Sequence, residues 1–133
     1  MPVVAAVHTA LNGRVEMTLT SAIPVLRVSD YPRARAFWTD TLDFAIIEEG
    51  GDPPRFGIFR KDTATVFVDA WHGADAAPSP GWRAYFHVDD VDGFAESLDW
   101  PTTEGPTDTP YGMRELVVID PDGTRLCFGQ DAR

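Results

Sequence analysis

The sequence of 133 residues predicts an α+β fold in which two β-α-β-β-β modules build a curled mixed sheet with a concave groove. Three observations point there. The triplet Val28-Ser29-Asp30 recurs 60 residues later as Val88-Asp89-Asp90. Each triplet closes an apolar run and precedes a stretch with helical spacing. The segment Asp62–Val68 lies 60 residues before Asp122–Phe128, and each reads as a tight turn followed by a strand. Self-similarity at a fixed period marks a repeated structural unit.

The elements follow in order. Met1–Glu16 carries weak patterning and reads as an N-terminal extension that need not be ordered. Ile23–Val28 is a first strand. Asp30 is placed to accept orphan N–H groups of a helix start, and Pro32 fits the first turn, where its missing N–H costs little. Ala34, Phe37, Trp38, Thr41 and Leu42 then recur at i, i+3, i+4, i+7 and i+8, so one helix face is apolar and Phe37 and Trp38 belong to the core. Phe56–Arg60 is a strand, on which Phe56 and Phe59 point to opposite faces. Gly73–Gly81, rich in Ala, Pro and Gly, is the linker. Tyr85–Val88 opens the second module. Asp90 repeats the cap, and Val91, Phe94, Ala95 and Leu98 repeat the helical face, with Trp100 packing at its end. Pro101–Pro110 reads as a loop, and Glu115–Asp120 as a strand before the last turn. The modules thus span 19–71 and 82–131 of one domain, 17–133.

Charge narrows the function. The chain has 11 Lys and Arg against 21 Asp and Glu, a net charge of −10. Residues 1–66 hold 8 acids and 7 bases, whereas residues 67–133 hold 13 acids and 4 bases. Such a surface disfavours nucleic acid and anionic membranes and suits a cationic partner. No apolar run approaches the length of a membrane span. The single cysteine, Cys127, excludes an intrachain disulfide. With no basic region at the N-terminus to suggest a secretory signal, a cytoplasmic protein is expected.

Catalytic motifs are lacking. There is no G-x-S-x-G, P-loop or G-x-G-x-x-G, and His8, His72 and His87 have no metal-ligand spacing. Cys127 on an apolar strand reads as a small buried hydrophobe. What the chain does offer is aromatic surface near acids. Trp71, Trp82, Tyr85 and Tyr111 lie on or beside predicted groove strands. Asp89, Asp90, Asp92, Asp120 and Asp122 are accounted for by helix starts and the turn. Glu104, Asp108 and Glu115 remain, flanking Tyr111. Aromatic faces and carboxylates together suit a planar cation.

The stretches Leu19–Phe44 (LTSAIPVLRVSDYPRARAFWTDTLDF) and Pro110–Gln130 (PYGMRELVVIDPDGTRLCFGQ) resemble the glyoxalase/bleomycin resistance/dioxygenase superfamily, the vicinal-oxygen-chelate proteins. The opening Thr20–Leu42 is most similar to the bleomycin-binding resistance branch. The resemblance implies a metal in the enzymes of the superfamily, held from four positions that map here to Ile23, Phe67, Arg83 and Cys127. Ile and Phe offer no donor atom, Arg is cationic, and one thiol does not make a divalent site. The expectation is therefore no metal, no cofactor and no catalysis. The resemblance implies instead sequestration of a cationic glycopeptide antibiotic of the bleomycin type, stacked on Tyr85 and Tyr111, where the aligned relatives have tryptophan. Trp71, Trp82, Phe56, Glu104, Asp108 and Glu115 are further candidate ligand residues. It also implies a homodimer with N-terminal strand exchange, Pro24 marking the crossing arm. Two alternatives stand beside this reading: a metal-dependent lyase or dioxygenase with an unusual ligand set, and a groove protein for another small amphipathic metabolite.

Overall fold

The computed structural model describes Gly13 and residues 15–133, so the expected extension Met1–Glu16 lies almost wholly outside the described residues. Strand β1 is Val25–Arg27 and helix α1 is Tyr31–Ala36. Strands β2 (Ala45–Gly50), β3 (Phe56–Lys61) and β4 (Ala64–Asp69) complete the first module. The second repeats it as β5 (Trp82–His87), α2 (Val91–Ser97), β6 (Thr103–Asp108), β7 (Met113–Ile119) and β8 (Arg125–Asp131).

Each module forms its own four-stranded sheet, in the orders β1-β4-β3-β2 and β5-β8-β7-β6. The first strand of each pairs in parallel with the last, and the other neighbours are antiparallel. The repeat extends to the register: Val25 lies opposite Phe67, and Tyr85 opposite Cys127, each 60 residues on.

The helices start as the sequence predicts. Asp30 accepts from the backbone N–H of Arg33, and Asp90 from that of Gly93. Gly93 suits its place because a Cβ there would press on the Asp90 carboxylate. α1 does not run regularly to Leu42. Phe37–Thr41 forms a π-helical turn in which the Leu42 N–H reaches back to the Phe37 carbonyl at 3.1 Å. Phe37, Trp38 and Leu42 are all buried nonetheless.

The core lies between the two modules. Trp38 is fully buried and meets Phe44 and Phe86 edge-on, while Phe37 meets Trp100 at 4.9 Å. Trp100 also donates its indole N–H to the Ile119 carbonyl at 2.7 Å. Leu26, Val66 and Val68 join this core from the first sheet, and Leu116, Val118, Leu126 and Phe128 from the second. Alternation along a strand then places Val25, Phe67, Tyr85, Glu115 and Cys127 on the opposite, open faces. The last turn adds a polar tie between modules, because the Asp122 carboxylate accepts from the backbone N–H and hydroxyl of Ser29.

One sequence expectation is corrected. Pro101–Pro110 is not a loop throughout, since Thr103–Asp108 is strand β6. It is the sheet's edge, pairs only with β7, and slips register between Glu104 and Thr107, where Pro106 cannot donate to a ladder. An edge strand needs no apolar alternation, so its pattern reads as loop.

Candidate ligand-binding face

The open face of the second sheet gathers a carboxylate and two phenols. Glu115 on β7 lies opposite Gly129 on β8, and Tyr85 on β5 lies opposite Cys127, one step along the same face. A Cβ on Gly129 would collide with the ring and hydroxyl of Tyr85. The missing side chain therefore lets the Tyr85 ring lie across β8 and donate to Glu115 Oε2 at 2.9 Å. Tyr111 reaches the same group from the β6–β7 turn. Its hydroxyl lies 2.8 Å from Glu115 Oε1 and 2.9 Å from Oε2. That turn is fixed by Thr109, whose hydroxyl and N–H bind the Met113 carbonyl, and by Gly112 at φ +85°. A positive φ of this kind favours glycine.

Glu115 is only 8% exposed, so the two phenol hydroxyls take the place of water at its carboxylate. The phenols respond in turn. Burial, then the bond to Glu115, pushes Tyr85 above its ordinary range. The Glu115 bond does the same to Tyr111. Cys127 beneath them is fully buried, and burial together with the Glu115 charge pushes its thiol up to about 12. It is an inert thiol, not a nucleophile. Trp82 and His87 flank Tyr85, each with its ring 5.2 Å away. Trp82 and Tyr111 stay about half exposed. A buried anion under an aromatic rim is suited to a ligand that brings a cation or hydrogen-bond donors together with a flat apolar surface.

The remaining candidates are placed elsewhere. Glu104 pairs with Arg125 on β8. Asp108 pairs with Arg114, which also holds Asp92 of α2 at 3.0 Å. These two acids are thus occupied by arginines and do not join Glu115. Phe56 packs against Phe67 at 5.4 Å on the open face of the first sheet. Trp71 lies after β4 with the Arg55 guanidinium 4.2 Å over its ring. Pro24 immediately precedes β1, and its carbonyl accepts from Phe67 N–H at 3.0 Å.

The four mapped metal positions hold no donor set. Ile23 is partly exposed, Phe67 packs on Phe56, Arg83 is bound to Asp75 at 2.8 Å, and Cys127 is a buried, protonated thiol. Among the described residues no group of three or more His, Cys, Asp or Glu side chains is arranged to hold a metal ion. Likewise, no described helix is long and apolar enough to cross a membrane. The sequence reading missed Gly129 and His87 as parts of this face. The signal for Gly129 was present, since an isolated glycine in an apolar strand marks a close approach.

Two β-α-β-β-β modules, each a four-stranded mixed sheet with one helix, define the class of fold. The family model of the Glyoxalase/Bleomycin resistance protein/Dioxygenase superfamily matches residues 14–128, and the chain belongs to that superfamily. Among solved structures it is similar to TnmS3, an antibiotic-binding protein from Streptomyces sp. CB03234, at 22% identity and TM-score 0.71, over 87% of this chain and 99% of that one. The bleomycin-binding protein of the bleomycin producer Streptomyces verticillus aligns at 25% identity and TM-score 0.66, over 89% and 99%. Lactoylglutathione lyase from Agrobacterium tumefaciens aligns at 22% and 0.66, over 86% and 95%. Comparison with curated proteins found no match.

Proposed function

We propose that this protein binds and sequesters a flat, cationic glycopeptide antibiotic of the bleomycin type, without transforming it, and thereby protects the cell. The observation that carries the reading is the Glu115 carboxylate held between the Tyr85 and Tyr111 hydroxyls on an open sheet face. Displacing those hydroxyls toward a ligand cation keeps the buried charge compensated, and the two rings supply stacking surface. The mapped metal positions argue against the lyase or dioxygenase alternative, because Ile23 and Phe67 have no donor atoms.

The binding unit in this reading is a homodimer. Val15, Met17, Leu19 and Val25 are each more than half exposed along the segment that leads into and through β1. Apolar side chains so exposed in series suit a second copy of the chain, with Pro24 at the start of the arm. The open face of one module would then be roofed by the partner's, which completes a groove.

Calorimetric titration of the purified protein with bleomycin tests the proposal, together with mass analysis of the recovered drug. The expected result is saturable heat at micromolar protein and an unaltered drug. Saturable binding of stoichiometric Fe, Mn, Ni or Zn, with turnover of a substrate, would favour the enzyme alternative instead.

A further inference from the structure

A second recess lies at the seam between the modules and shares only His87, at its edge, with the Glu115 face. It opens between the β3–β4 turn of the first module and the β5–α2 corner of the second, with a volume of about 390 Å³. Its floor is aromatic, formed by Phe44, Phe86, Phe94 and Phe128. Phe86 and Phe128 stack at 4.9 Å with 18° between their planes, and Phe94 leans on Phe128 at 4.9 Å. Phe44 and Phe128 are buried at the bottom of the recess, and Phe86 and Phe94 are partly exposed to it.

The rim carries more acid than base. Lys61 and Asp62 line it from the β3–β4 turn, and Asp89 and Asp90 from the β5–α2 corner. Lys61 is already committed, with its Nζ 3.4 Å from Asp43. Asp90 is committed to capping α2. Asp62 and Asp89 remain exposed at the edge of an apolar floor. The recess falls in the size range of small-molecule sites, roughly 300–1,000 Å³.

We propose that this inter-module recess is a second binding site, for a compact arylalkylamine: one aromatic ring on the phenylalanine floor and an ammonium group between Asp62 and Asp89. An ammonium at the rim meets opposite charge while its ring displaces water from the phenyl faces. An anionic analogue meets like charge at the same place. The site uses no residue of the Tyr85–Glu115–Tyr111 cluster, so it stands whether or not that cluster binds an antibiotic.

Titration of the ¹⁵N-labelled protein with 2-phenylethylamine, followed by amide shifts, tests this, with 3-phenylpropionate as the anionic probe. Expected are saturable shifts at Thr63, Phe86, Val88 and Phe94, and binding of the anion weaker by about tenfold. The double variant Asp62→Asn/Asp89→Asn, altered only at the exposed rim, should lose about fivefold of the preference for the cation. Tyr111→Ala should leave both titrations unchanged. The proposal is overturned by no saturable shift at those amides, by equal affinity for the two probes, or by shifts confined to Tyr85 and Glu115. It is also overturned if the same amides shift with protein concentration alone, because a second copy of the chain then fills the recess.

Discussion

The two modules share a topology and a register, yet their tyrosine–glutamate pairs face opposite ways and do different things. In the first, the Tyr31 hydroxyl donates to Glu49 at 2.6 Å on the helix side of the sheet. In the second, Tyr85 donates to Glu115 at 2.9 Å on the open side. Both depend on a strand glycine, Gly57 and Gly129, where a Cβ would strike the phenol. The difference lies in the third partner. Arg35 sits 3.0 Å from Glu49 and neutralises it. Among the described residues no Lys, Arg or His pairs with Glu115, which is held by phenols alone. The same local device thus closes a structural bond in one module and, in the other, holds a carboxylate by hydroxyls without a cationic partner among the described residues. Equivalent open-face positions diverge in the same sense, Val25 and Phe67 against Tyr85 and Cys127. Duplication fixes the frame, and side chains fix the chemistry.

The seam that makes both modules one unit is where the largest effect is expected. Trp38→Ala removes a fully buried indole that touches Phe44 and Phe86 and should cost about 3–5 kcal/mol. Denaturant unfolding should remain a single transition at a lower midpoint. Two separate transitions would mean that the modules are independent.

The turns differ next. Asp120, at the turn of the second module, is buried, and its Oδ1 accepts from the N–H groups of Asp122 and Thr124. Burial raises its carboxyl to about 6 despite those bonds. The folded state therefore binds the proton more tightly than the unfolded chain. Its stabilising share is complete below about pH 4 and is lost as pH rises through about 6, of order 2–3 kcal/mol. Asp120→Asn keeps the acceptor and removes the titration. Its stability measured between pH 4 and 7 should lack that decline, and a parallel decline in the variant would refute the assignment.

The glycines give a paired comparison. Gly57→Ala and Gly129→Ala should each lower stability by about 1–3 kcal/mol, through a displaced tyrosine and a lost bond to a carboxylate. Only Gly129→Ala should also weaken ligand binding, measured by calorimetry, because only its tyrosine faces the open side. The smallest effect is expected at the exposed rim. Tyr111→Phe keeps the stacking ring and loses one hydrogen bond to Glu115 at an exposed ring, so affinity should fall by about threefold with a smaller loss of thermal stability than in Gly129→Ala.

Much of this frame was legible in the sequence. The 60-residue offset, the caps at Asp30 and Asp90, and the turn at Asp120–Gly123 are local patterns, and the structure reproduces each of them. Strand β6 was hidden because an edge strand containing Pro106 has neither alternation nor a full ladder. At the site, Tyr85, Tyr111 and Glu115 are brought together, but Glu104 and Asp108 are not. Proximity in sequence says nothing about which arginine a side chain meets across a sheet, and Arg125 and Arg114 reach those acids from other positions. Gly129 was readable as a close approach, but its partner on another strand was not.

The central claim is that Glu115 supplies the anion which recognises the ligand. Bleomycin titrated calorimetrically into the wild type and into Glu115→Gln tests it most directly. Glutamine keeps the shape and an acceptor for the tyrosines while removing the charge. Saturable binding to the wild type is expected, with affinity reduced at least about tenfold in the variant and thermal stability little changed. Equal affinity for the two proteins, or no saturable heat with the wild type at micromolar concentration, would contradict it.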